Sequence, residues 1–288
     1  MKTIDILGSY YTLASGMDPF GKVHCPHDLK ARVAAAAKAG FTGMGFLYED
    51  LIEVRKTYSL RDMHLILEDG GIKHIELEIL RDWYRDGPAR VKADHERDVL
   101  LEASAALGAR HVKAADPFND VAGPEELTEA VAGLCKKAQL QGATILFEML
   151  PPGFSRLESL DAATRMVRDV GLPNAGLTLD KLQLDFMGVS HAEVAEKVQG
   201  ITNLSVEISD GFATRPSNYL DWIINKRLMP GDGEFDLTGF LTTVRDLGYR
   251  GPIAVEVLNA YVRLLPLEVA ADLAYRKARA VVDAVDWN

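Results

Sequence analysis

Eight short apolar, β-branched runs, each followed by a longer stretch with helical spacing, leave this chain few ways to fold. The runs fall at 3–7, 41–47, 73–80, 110–114, 144–150, 176–180, 203–209 and 252–258. The helical stretches fall at 27–39, 50–69, 88–107, 124–141, 156–170, 191–199, 235–247 and 266–284. Strands joined by crossover helices run parallel, and a parallel sheet needs cover on both faces. Eight such units close into a (β/α)8 TIM barrel. The competing open, doubly wound sheet wants a glycine-rich phosphate turn after its first strand, and Gly8-Ser9-Tyr10-Tyr11 does not supply GxGxxG. No polar linker interrupts the 288 residues, so 1–288 is expected to be one α/β barrel domain.

Local chemistry supports the boundaries. Gly40, Gly108 and Gly248 each follow an apolar helical run, where a left-handed C-terminal cap is favoured. Gly123-Pro124-Glu125-Glu126 reads as a helix start, with proline in the first turn and acids at the helix N-terminus. Two long interruptions, 9–26 and 210–233, belong at the C-terminal mouth of a barrel, where long loops usually serve binding.

The net charge of −10 disfavours a nucleic-acid partner, which would call for a basic face. Cys25 and Cys135 stand far apart and in no CxxC spacing, so neither a disulfide framework nor a thiolate zinc site is supported. No apolar run approaches a membrane span, and MKTIDILGSYY lacks a signal-peptide core. A cytoplasmic protein with a small-molecule substrate is expected, and a homo-oligomer is compatible with the sequence.

Barrel enzymes build their sites at the C-terminal ends of strands. Those positions carry Glu148 in ILFEML, Asp180 in LTLDKL, Glu207 in LSVEIS and Glu256 in IAVEVL. A carboxylate late in an apolar strand is costly unless paired or bound to a cation. Four on consecutive strands imply convergence on positive charge. Oxygen ligands suit Mg2+ or Mn2+, while ion pairs with lysine or arginine from neighbouring strands are the structural alternative.

The segments GATILFEMLP, GLTLDKLQLDFMG, VEISDG, PGDGEFDLTGFLTTVRDLGYRGPIAVEV and ERDVLLEASAALGARHVKA resemble the sugar phosphate isomerase/epimerase family, the xylose-isomerase-like barrels. The resemblance covers essentially the whole chain. It implies one catalytic divalent metal held by Glu148, Asp180, Glu207 and Glu256, with Glu148 and Glu256 doubling as the acid and base. Two positions depart from the family pattern: Glu207 stands where a histidine is usual, and Gln183 stands where another histidine commonly follows the strand-six acid. The first departure makes the ligand set all-oxygen, which favours Mn2+ or Mg2+ over Zn2+.

Lys113, Gln183 and Arg215 are the candidate substrate-binding residues. Lys113 ends the fourth strand, where it reaches either the substrate or an acid of the ring, and Arg215 lies on the long seventh loop, where its planar fork suits a phosphate or carboxylate. Glu76 and Glu78 alternate with leucines, and only one of them is expected to face the barrel axis. Large apolar residues in the loops, among them Tyr10, Tyr11, Trp83, Phe118, Phe186 and Phe212, hint at a ring-bearing or partly apolar substrate.

These residues predict an isomerase or epimerase that moves a proton next to a carbonyl. A dehydratase of a cyclic keto-polyol, such as an inosose or a 3-dehydroshikimate-like compound, is the alternative. A catalytically silent barrel, used for binding or as a partner subunit, is the third reading, motivated by Glu207 and Gln183.

Overall fold

The computed structural model describes residues 4–287 except 117–122, 152, 156, 158 and 215–216. Eight strands, β1 (Ile6–Gly8), β2 (Gly43–Leu47), β3 (His74–Leu80), β4 (His111–Ala114), β5 (Ile145–Glu148), β6 (Ala175–Asp180), β7 (Leu204–Ile208) and β8 (Ile253–Val255), form a closed parallel barrel in chain order. The seam between β1 and β8 is stitched by Thr12: its hydroxyl donates to the Val255 carbonyl at 2.6 Å and accepts from the Val257 N–H at 2.8 Å.

All eight expected strands are present, most of them shorter than expected at one end or both. β8 ends at Val255, so Glu256 is the first residue of the following loop, held to the sheet by its N–H on the Ile208 carbonyl at 3.1 Å. Gly40 and Gly108 cap their helices in the left-handed conformation, with φ of 113° and 66°.

The expected single helix over 50–69 is two helices, Tyr48–Val54 and Leu60–Asp69. Ser59 divides them. Its hydroxyl accepts from the Asp62 N–H while the Asp62 carboxylate accepts from the Ser59 N–H, both at 3.1 Å, a reciprocal cap that starts the second helix. Ser59→Ala should destabilise the fold by about 1 kcal/mol. For a chain of this length that lowers the melting temperature by roughly 1–2 °C in a thermal scan.

Along each strand, neighbouring side chains face opposite ways. Val112, Phe147, Leu177, Leu179, Val206, Ile208 and Val255 join one large apolar cluster that includes residues of the helical layer. The intervening positions Lys113, Glu148, Asp180 and Glu207 carry charge. Two glycines give way to this arrangement. A side chain at Gly45 would come within 2.5 Å of both a Glu78 oxygen and the Tyr10 nitrogen, and one at Gly176 within 2.0 Å of the Asn203 carbonyl.

Candidate active site

Glu148 and Asp180 are the last residues of β5 and β6, Glu207 is the penultimate residue of β7, and Glu256 follows β8. Parallel register sets Asp180 directly beside Glu207. All four are buried, and each offers an oxygen within 4.8 Å of the oxygens of the others. The convergence expected from the strand ends is therefore present.

Lys113 of β4 enters the same ring. Its ammonium lies 2.7 Å from Glu207, 3.1 Å from Glu256, 3.5 Å from Glu78 and 3.6 Å from Glu148. Between the two roles open to Lys113 in the sequence, its contacts are those of the ion pair. Arg227 supplies a second cation from the long loop after β7, donating to Asp180 at 2.9 Å and reaching Glu256 at 2.7 Å. Sequence reasoning singled out Arg215 in that loop and missed Arg227. Arg215 lies outside the described residues. The loop itself was the available signal, because only folding decides which of its arginines turns inward.

Glu76 and Glu78 both point into the barrel and are buried. The expectation that only one could do so is corrected by the period of the strand: residues two apart share a face. Among the described residues neither oxygen of Glu76 has a hydrogen-bond partner, and burial beside Glu78 drives its carboxyl well above the usual range. His111, 3.6 Å from Glu76, is pushed down to about 3 by burial, with Lys113 adding to the effect, and stays neutral.

The acids differ in character. Burial pushes Glu148 up to about 7, Lys113 opposing the shift and the Glu256 charge reinforcing it. Burial also works against Glu256, yet Lys113 and Arg227 together hold it below the ordinary carboxylate range. Burial raises Asp180 and, by more, Glu207. Burial disfavours the Lys113 ammonium, but the surrounding acids hold its pKa well above that of a free lysine.

A cavity of about 160 Å3 opens onto this ring, walled by Tyr11, Glu78, Ile79, Lys113, Glu148, Leu150, Gln183, Ile223, Ile224, Arg227, Glu256 and Leu258. Gln183 is fixed by the Tyr219 hydroxyl, which donates to its side-chain oxygen. Of the loop aromatics noted in the sequence, Tyr11 lines this cavity. Phe20 and Phe212 are exposed, Trp83 is buried in the core, and Phe118 lies outside the described residues. A more open hollow of about 410 Å3 lies to the side, where Lys181 pairs with Asp185, and none of the ring acids lines it.

An oxygen-only donor set at this spacing fits a hard divalent cation. The charge balance fits as well. Among the described residues, the lysine and arginine contacts of Glu76, Glu78, Glu148, Asp180, Glu207 and Glu256 come from Lys113 and Arg227, leaving a surplus of carboxylates.

Four buried acids at the strand ends of a closed parallel barrel define an acid-ringed (β/α)8 barrel. The chain belongs to the xylose isomerase-like TIM barrel family, whose sequence model matches residues 33–284. It is 28% identical over 250 residues to a 3-dehydroshikimate dehydratase of Pseudomonas aeruginosa, a match covering 84% of this chain and 38% of that protein. The chain thus spans well under half the length of that relative. It is 24% identical over 246 residues to an inosose isomerase of Bacillus velezensis, covering 81% of this chain and 84% of that one. Among solved structures it resembles the IOLI protein with a bound zinc atom, at a TM-score of 0.82 and 21% identity, over 98% of this chain and 99% of that one. No helix among the described residues is long and apolar enough to cross a membrane.

Proposed function

We propose that this protein is an isomerase or epimerase that moves a proton on a carbon next to the carbonyl of a small oxygenated metabolite. The observation that carries the reading is Glu148. It lines the cavity, its nearest cation among the described residues is Lys113 at 3.6 Å, and burial brings its pKa to about 7. A base poised near the operating pH exchanges protons with least penalty in either direction. Glu256, held ionised between two cations, completes the acid/base pair. Lys113, Arg227 and Gln183 line the same cavity and would bond substrate oxygens, with Arg215 a further candidate anchor.

At least three of Glu148, Asp180, Glu207 and Glu256 would hold a divalent ion, Mn2+ or Mg2+ by the chemistry of the donor set. Such an ion supplies positive charge that stabilises a developing enediolate. Loss of a β-hydroxyl from the same intermediate would make the chain a dehydratase, a reading favoured by the Pseudomonas relative. The acidic, cysteine-poor composition accords with action in the cytoplasm.

Elemental analysis after supplementation and dialysis should find one divalent ion per chain. Ketoses, inososes and 3-dehydroshikimate incubated in heavy water should then show deuterium entering next to the carbonyl, or loss of water, only with the ion bound. Neither stoichiometric metal nor exchange in any of these compounds would sink the reading.

A further inference from the structure

The ring acids do not stand alike toward the cavity. Glu148 and Glu256 form part of its wall, whereas Asp180 and Glu207 do not, and Glu207 is fully buried. Lys113, which contacts Glu207, does line it. Glu207 Oε1 makes the shortest of the four Lys113 contacts, 2.7 Å, and its neighbour Asp180 is occupied differently, by the Leu182 N–H at 3.0 Å and Arg227 at 2.9 Å. A lysine has three donors and a long, flexible stem. Buried at the floor of a cavity, it needs an acceptor behind it to keep its remaining protons directed at Glu256 and the cavity.

We propose that Glu207 is a positioning residue for Lys113, anchoring its ammonium from behind, and is not a ligand of the metal ion. The three ligands are then Glu148, Asp180 and Glu256. This explains the all-acid ring without requiring a fourth carboxylate on one ion: β7 carries an acid because β4 carries a lysine. The inference rests on the metal-site reading only for the identity of the other ligands, since the pairing itself is a contact within the chain.

The test is a double-mutant cycle on the full chain, comparing wild type, Glu207→Leu, Lys113→Met and the double variant, with Glu207→Gln as the conservative control. Leucine cannot ligate, and the double variant removes one charge of each sign, so it keeps the charge balance even where a single variant folds poorly. Thermal melts, Mn2+ titration and the visible spectrum of the Co2+-loaded protein are the readouts.

If Glu207 serves Lys113, the single-variant losses in melting temperature are non-additive, and Glu207→Gln, which keeps an acceptor, melts close to wild type. The double variant binds Mn2+ within about 100-fold of wild type, the upper end of what loss of an outer-shell partner does. The Co2+ spectrum of Glu207→Gln is unchanged. A Mn2+ affinity of the double variant reduced by more than that, or an altered Co2+ spectrum in Glu207→Gln, would show ligation and overturn the proposal. Should wild type take up neither ion, the metal part of the proposed function fails. The melts then decide alone: non-additive losses uphold the pairing and additive losses overturn it.

Discussion

Glu148→Gln should lower kcat by about 10^2–10^4-fold, the usual worth of a general acid or base, while the protein melts at the wild-type temperature or above it. The two halves of that expectation have different origins. Glutamine keeps the shape and one oxygen but cannot accept a proton. Among the described residues Glu148 has no cation nearer than 3.6 Å, and Glu256 and Asp180 both raise its pKa through charge, so a neutral replacement relieves repulsion in a buried site. Single-turnover kinetics and a thermal scan on the same preparation check both halves. A variant that keeps near wild-type turnover would remove Glu148 as the base.

Glu256→Gln should lower turnover by a similar factor, because the amide cannot carry a proton, and it should also weaken the fold. Glu256 Oε1 accepts from Lys113 at 3.1 Å and Oε2 faces Arg227 at 2.7 Å. An amide offers one acceptor, and its NH2 confronts the second cation with another donor. Losing a charge-assisted hydrogen bond here costs roughly 1.5–3 kcal/mol. That corresponds to a fall of roughly 3–5 °C for a chain of this length. The cations do not become orphans, since Asp180 still holds Arg227 and Glu207 still holds Lys113. Unaltered melting would mean that Glu256 contributes no net stability through these contacts.

The barrel and its ring of acids were legible because both depend on local pattern. Strand runs alternate with helical spacing, and a carboxylate late in an apolar strand stands out whatever surrounds it. What escaped depends on folding. Arg227 sits 47 residues from Asp180 and 29 from Glu256 in the chain, and the turn of its loop brings it to both. The division of 50–69 at Ser59 had a readable signal, a serine three residues before an acid, hidden by helical spacing on either side. The inward pair Glu76 and Glu78 could have been read correctly from strand period alone. Lys113 was open to two roles because sequence shows that a lysine ends β4 but not how many acids surround it.

The alternation of side chains along the strands has a consequence for how this protein can change. At Val112 and Lys113, Phe147 and Glu148, Leu179 and Asp180, or Val206 and Glu207, adjacent codons address different properties. The first of each pair belongs to the apolar layer, and the second to the charged axis. A lineage, or a mutagenesis library, could therefore rewrite the odd chemistry of the axis one position at a time with little repacking of the layer beneath it. The constraint runs the other way at Gly45 and Gly176. There the backbone itself approaches a neighbour, and drift toward any larger residue would disturb axis and layer together.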